Sequence, residues 1–182
     1  MSATFRLTLA QLNPVMGDFA GNAAKALAAW AEGKAAGADM VALTEMFLVG
    51  YQAQDLVFSA ADIGGPYRIG PLRIGTPICE DAWHSDVCET LMETGAQILL
   101  VPNGSPYHRG KPAVRTNLMV ARVVETGLPL VYLNMVGGQD DQVFDGASFV
   151  LNPGGELAVQ LPQFDEVIAH VDFVEGQEGW RA

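Results

Sequence analysis

Basic residues are scarce in this chain. Ten lysines and arginines stand against 21 acids, a net charge of −11 at pH 7. A phosphate-binding face needs a basic stripe, and the basic residues here are scattered, so nucleic acid and anionic membrane are disfavoured as main partners. The acidic excess serves solubility. Cysteine is scarcer still. Cys79 and Cys88 are the only two, whereas a disulfide-stapled secreted domain carries more. Together with His84, His108 and His170 they form no pair with zinc-site spacing, so no metal centre is expected. Long apolar runs are absent too: the longest are strand-length, far short of a bilayer span. The start, MSATFRLTLAQLNP, has no basic stretch leading into an apolar one, and no signal peptide is read there. The expectation is a cytoplasmic protein, in which Asn103-Gly104-Ser105 matches a glycosylation sequon by chance. Charged residues make up 17% and hydrophobic ones 49%, a balance that excludes disorder and suits one domain of 182 residues with a sizeable core.

What is present is an alternation of strand and helix patterns. Phe5, Leu7, Leu9 and Gln11 alternate with Arg6, Thr8 and Ala10, a strand that ends at Asn13-Pro14. Residues 21–36 are alanine-rich and read as a helix, with Leu27, Trp30 and Ala31 on one face and Gly37 placed to end it. Residues 40–44 form a short apolar strand that delivers Glu45, and 74–78 form another that delivers Cys79. A helix over 84–94 turns Val87 and Leu91 inward and stops at Gly95. The apolar strand 97–101 opens into the loop Pro102-Asn103-Gly104-Ser105-Pro106. A helix over 113–126 carries Val114, Leu118 and Ala121 on one face, Gly127 ends it, and 130–134 is a further strand. Strands at 148–151 and 156–159 flank the turn Asn152-Pro153-Gly154-Gly155, and 167–171 adds a last one. The order predicts an α/β protein of one domain without internal repeats; it leaves the number of sheets open.

Strand ends that open into loops are where α/β folds place reactive side chains. Glu45 follows a buried strand and precedes apolar Met46 and Phe47, where partial burial would raise its pKa and suit it to proton transfer. Set against this is a solvated acid at a strand end. Cys79, in Gly75-Thr76-Pro77-Ile78-Cys79-Glu80-Asp81-Ala82-Trp83, sits between a strand and a helix. Unpaired N–H groups at the helix start would favour thiolate over thiol and hold an oxyanion. A small buried core residue is the commoner fate of a lone cysteine; Cys88, inside the next helix, is read that way. Other motifs fail. The run from Gly104 to Pro112 has one residue too many for a P-loop and a proline where magnesium needs a hydroxyl. Ile63-Gly64-Gly65-Pro66 with Gly70 is no dinucleotide fingerprint. A Cys79–His84 pair is disfavoured, because the first helical turn points the two side chains apart.

Several segments in this order resemble the nitrilase, or carbon–nitrogen hydrolase, superfamily. They are Phe5 to Pro14 with Gly17-Asp18, then Leu43-Thr44-Glu45-Met46-Phe47-Leu48-Val49-Gly50-Tyr51, then the block around Cys79. Gly50-Tyr51 with Asp55-Leu56, Cys79-Glu80-Asp81-Ala82-Trp83, and Asn103-Gly104-Ser105-Pro106 with Gly110-Lys111 resemble one branch, the glutaminase domains of glutamine-dependent NAD+ synthetases. So does Val136-Gly137-Gly138-Gln139-Asp140 followed by Phe144-Asp145-Gly146-Ala147-Ser148. The resemblance implies a four-layer α-β-β-α sandwich, with Glu45 as general base and Cys79 as nucleophile. Tyr51, Glu80 and Ser105 would hold the substrate glutamine, and Lys111 stands where some relatives have an arginine. No cofactor is implied for this domain. ATP and Mg2+ belong to a synthetase domain that the chain, ending near where the glutaminase domain should end, does not contain. That domain, glutamine and further copies of the chain are the implied partners.

One departure is large. The family's third catalytic residue, a lysine, lies between the glutamate and cysteine segments. Here the lysines are Lys25, Lys34 and Lys111. The resemblance implies that several dozen residues are missing at a join near Val57-Phe58. Either the sequence omits a segment that the protein carries, which is the expectation, or the protein is truly shortened. An intact mass of 19.4 kDa would establish the second. Without the segment, two rival readings stay open beside the glutaminase: an amidase for another small amide, and a non-catalytic remnant that binds a synthetase partner.

Overall fold

Strand β1 (Thr4–Gln11) sets the frame, because its alternation sorts side chains onto two faces. Phe5, Leu7 and Leu9 are buried on one of them. On the other, Arg6 crosses to its strand partner Asp172 at 2.6 Å and Thr8 meets His170 at 2.9 Å. The computed structural model describes residues 2–51 and 65–182. The expected join at Val57-Phe58, Asp55-Leu56 and Ile63-Gly64 lie outside these.

After β1 come α1 (Phe19–Ala35), β2 (Met40–Ala42), the hairpin β3 (Tyr67–Ile69) and β4 (Leu72–Gly75), and a 3-10 turn, Cys79–Trp83. Then follow α2 (Ser85–Glu93), β5 (Ile98–Asn103), α3 (Lys111–Thr126), β6 (Leu130–Asn134) and the hairpin β7 (Val136–Gln139) and β8 (Gln142–Asp145). The chain finishes with β9 (Phe149–Asn152), β10 (Glu156–Gln160), β11 (Val167–Gly176) and β12 (Gly179–Arg181). Two mixed sheets result, ordered β12-β11-β1-β2 and β10-β9-β6-β5-β4-β3, with β7-β8 paired apart.

The central strands of the larger sheet, β5, β6 and β9, read as apolar runs because both of their faces are buried. In β5, Ile98 and Leu100 point at Phe5, Leu7, Leu9, Val171 and Phe173 of the smaller sheet. Their neighbours Leu99 and Val101 point the other way, at Cys88, Leu91, Met119 and Val123 of α2 and α3. Helix α1 covers the free face of the smaller sheet: its Gly33 lies against Thr8 and Val41. The layers are therefore helix, sheet, sheet, helix, the expected four-layer α-β-β-α sandwich.

Two helix faces differ from expectation. On α1, Leu27 and Trp30 are 66% and 54% exposed, and the buried positions are Asn22, Ala29 and Gly33. Small residues let the helix lie close on the sheet, so the large apolar ones turn outward. On α3, Val114 is exposed and the buried stripe is Arg115, Met119, Arg122, Val123 and Thr126. Both arginines are paired within it, which a reading of apolar spacing alone does not detect. Arg115 meets Asp145, and Arg122 donates to the Trp83 carbonyl and to Glu125.

The close fit at Gly33 makes a test. A Cβ there would stand 2.6 Å from Val41 Cγ2 and 2.9 Å from Thr8 Oγ1. Gly33→Val is expected to lose about 2 kcal/mol in urea unfolding, because the few tenths of helix propensity gained over glycine do not offset the overlap. Leu27→Ala should stay within about 0.5 kcal/mol of the parent.

Candidate active site

The ends of β2, β4 and β5 meet on one side of the sandwich. Glu45 lies three residues beyond β2, half-buried, directly before Met46 at φ 54°. Cys79 opens the 3-10 turn at φ 51°. Left-handed backbone at two non-glycine residues costs about 1–3 kcal/mol each and persists only where the surroundings impose it. Beyond β5, the Gly104 N–H donates to Glu45 Oε2 at 2.9 Å. Cys79 lies close enough to feel both: the Glu45 carboxylate raises the pKa of its thiol, and the backbone N–H groups of Gly104 and Glu80 lower it. One acid, one thiol and two backbone donors thus converge.

The thiolate expectation is corrected. Burial, first, and then the Glu45 carboxylate push Cys79 up to about 12, and the N–H groups of Gly104 and Glu80 offset this only in part. The element after Cys79 is a five-residue 3-10 turn, and the α-helix starts only at Ser85, so no long helix dipole acts on the sulfur. At neutral pH Cys79 therefore keeps its proton. Cys88, by contrast, is fully buried in the helix-side core, as expected of a packing residue.

Tyr51 closes one wall. Its ring sits edge-on to Phe144 at 5.2 Å, and burial together with the charges of Glu45, Cys79 and Glu80 raises its hydroxyl to about 12. The Glu80 side chain is exposed. Ser105 is buried, its N–H bonded to Asn134 Oδ1 at 2.9 Å. Lys111 reaches this region only through Trp83, the last residue of the cysteine turn, with Nζ 4.4 Å from the ring centroid. Lys25 is bonded to the Asn13 carbonyl and lies near Glu166, and Lys34 sits over Trp30. Glu45, Cys79 and Tyr51 are therefore gathered, Ser105 follows Gly104 directly, and the Glu80 side chain and Lys111 stand at the margin. A cavity of about 320 Å3 lies elsewhere, beside the start of α3, lined in part by Arg115, Phe149 and Gln163.

Sequence reasoning did not single out Gly104, whose contribution is a backbone N–H. Its signal is steric: a Cβ at Gly104 would come within 2.3 Å of the Tyr51 ring. Gly104→Ala is expected to fold but to displace Tyr51, lowering activity about tenfold or more, read in steady-state kinetics beside an unchanged far-UV spectrum.

A half-buried acid and thiol side by side with backbone donors, in a four-layer sandwich, define a class of cysteine hydrolase. The family model for the carbon–nitrogen hydrolases matches residues 6–67 and 57–180, and the chain belongs to that family. A glutamine-dependent NAD(+) synthetase of Rhodobacter capsulatus is 47% identical over 252 aligned positions, covering 100% of this chain and 46% of the relative. Among solved structures, the glutamine-dependent NAD+ synthetase of Acinetobacter baumannii, in complex with adenosine diphosphate, superposes with a TM-score of 0.88 at 24% identity, over 98% of this chain and 47% of that one. An amidase of the nitrilase superfamily from Nesterenkonia AN1 gives 0.82 at 19% identity, over 92% and 90%. The chain thus spans about half the length of the curated relatives it matches. Among the described residues no helix is long and apolar enough to cross a membrane, and no cluster of His, Cys, Asp and Glu could hold a metal ion.

Proposed function

We propose that this chain hydrolyses the side-chain amide of glutamine, with Cys79 as nucleophile and Glu45 as base, and that the ammonia serves ATP-dependent amidation of deamido-NAD. The observation that carries the chemistry is Glu45, held by the Gly104 N–H at 2.9 Å and placed near enough to Cys79 to raise the pKa of its thiol. The names of the relatives support the substrate. Glu45 takes the thiol proton as sulfur attacks the amide carbon, and the oxyanion is held by the N–H of Glu80. Glu45 then passes its proton to the departing nitrogen, so that the C–N bond breaks and ammonia leaves. Water, deprotonated by Glu45, cleaves the thioester to glutamate and restores the thiol. Tyr51 and Ser105 hold the substrate, and Glu80 and Lys111 stand at its margin. The amidation itself, with its ATP and Mg2+, is assigned to the part of the relatives that this chain does not span. The test is glutamate release from glutamine measured against a panel of other ω-amides; hydrolysis of the panel without glutamine overturns the substrate assignment.

A second reading, a chain of low or no turnover, has its own support. The 252 aligned positions exceed the 182 residues of this chain by 70, and the two family matches overlap at 57–67, as expected if an internal segment is missing there. With it goes the family's lysine, and none of the three lysines present is in contact with the acid–thiol pair. Loss of one oxyanion donor lowers kcat about 10²–10³-fold. The chain is expected to be that much slower than a relative carrying the segment, in parallel glutamate-release assays on the two proteins. Equal rates would remove this reading.

A further inference from the structure

The Gly104 N–H donates to Glu45 Oε2 at 2.9 Å and lowers the pKa of the Cys79 thiol, and a buried side chain in direct contact with neither group helps to fix it. Asn134, at the end of β6, is completely buried. Its Oδ1 accepts from the Ser105 N–H at 2.9 Å. Its Nδ2 donates to the Ser105 carbonyl at 3.4 Å and to the Gly146 carbonyl at 3.0 Å. Strands β5 and β6 run parallel, with Asn103 opposite Asn134 as their last paired residues. Beyond the rung from the Met135 N–H to the Asn103 carbonyl, the Asn134 amide supplies the next one: it bonds both the N–H and the C=O of Ser105, as the next peptide of a strand would. On the other flank of Gly104, the Asn103 carbonyl accepts from the Met135 N–H at 3.2 Å. Gly104 is therefore clamped on both sides by the segment 134–135.

The clamp is itself anchored. The Asn134 N–H donates to Ser148 Oγ at 2.9 Å, and Ser148 bonds Gln11 Oε1 through its N–H and its hydroxyl, at 3.0 and 2.7 Å. Gln11 Nε2 in turn donates to the carbonyls of Pro162 and Asp165. Every polar atom of the Asn134 side chain has a partner, which marks a network that specifies one arrangement.

We propose that Asn134 is a positioning residue for the reaction: through Ser105 it aims the Gly104 N–H at the junction of Glu45 and Cys79. The inference rests on Cys79 as nucleophile, not on glutamine as substrate. Truncating Asn134 leaves the Ser105 and Gly146 groups without their partner and lets the Gly104 peptide turn away from the sulfur. The thiol then loses the N–H that lowers its pKa, and thiolate becomes about tenfold rarer at a given pH.

The readout is the rate of Cys79 alkylation by iodoacetamide over roughly pH 6 to 9.5, located by peptide mass spectrometry so that Cys88 does not contribute. It needs no substrate, so a chain inactive on glutamine still tests the inference. Asn134→Ala is expected to lower the whole curve about tenfold. Asn134→Asp is nearly isosteric and keeps the acceptor for Ser105, but sets a second oxygen against two carbonyls; it is expected to lower the curve in the same direction. Ser148→Ala removes buried hydrogen bonds of the same network while leaving the Asn134 grip on Ser105, and should lower thermal stability without moving the curve. A parental curve in either folded Asn134 variant overturns the proposal, as does a Ser148→Ala curve lowered as far as that of Asn134→Ala. If both Asn134 variants fail to fold while Ser148→Ala folds, the residue serves the fold alone and the positioning role is withdrawn.

Discussion

Cys79→Ala is expected to abolish amide hydrolysis, with kcat falling by at least about four orders of magnitude. Alanine removes the sulfur proposed to form the covalent acyl intermediate, and the N–H donors and carboxylate that remain polarise an amide without replacing that attack. The fold should survive, since Cys79 opens a short turn at a strand end and is absent from both core clusters. Its companion, Glu45→Gln, separates the two roles of the acid. Glu45 raises the thiol pKa by its charge. Removing that charge lowers the pKa, so alkylation of Cys79 at a fixed neutral pH should rise. Hydrolysis should fall about 10²–10⁴-fold, because proton transfer has lost its acceptor. The sign of the pH dependence follows. In the parent the thiol, held up to about 12, is protonated through the neutral range and ionises as pH rises; in the glutamine variant the same rise comes at lower pH. Iodoacetamide rates set beside glutamate release measure the two effects on the same samples. If hydrolysis persists in Cys79→Ala, the nucleophile is misassigned; if both rates fall together in Glu45→Gln, the carboxylate acts by shape rather than charge.

How much of this was legible in the sequence follows from which residues carry each feature. The strands of the sandwich core were readable because burial on both faces leaves a plain signature: Leu99, Leu100 and Val101 form an unbroken apolar run. Glu45 and Cys79 were readable because each follows such a run. The helix faces were not. Gly33 and Ala29 pack closely by being small, and Arg115 and Arg122 are buried by being paired, and neither property appears in a count of apolar spacings. The hairpin β7-β8 escaped for a related reason: Val136-Gly137-Gly138-Gln139 offers one apolar side chain in four residues. Asn134 and Gly104 act through amide groups, one of them the backbone's own, so their place in the site came only with three-dimensional register.

The buried ion pair between α3 and the end of β8 should be the most stability-sensitive polar contact in the molecule. Arg115 and Asp145 are 2% and 0% exposed, and Nη2 meets both carboxylate oxygens, at 2.7 and 2.6 Å. Asp145 directly precedes Gly146, whose carbonyl Asn134 grips, so the pair fixes one end of the network behind Gly104. Breaking it by Arg115→Met strands a carboxylate in the interior, with Gln163 Nε2 at 3.4 Å as its remaining side-chain donor. A loss of about 3–5 kcal/mol is expected, enough to unfold much of a domain whose total stability is about 5–15 kcal/mol. Removing both charges is a different matter. Arg115→Met with Asp145→Leu leaves no unpaired charge at this position, and dispensing with two desolvated ions offsets most of the lost attraction. The double variant is therefore expected to be markedly more stable than Arg115→Met alone, by about 2 kcal/mol or more in urea unfolding. If the two losses simply add, the pair is not coupled, and α3 is held to the β8 end by packing rather than by charge.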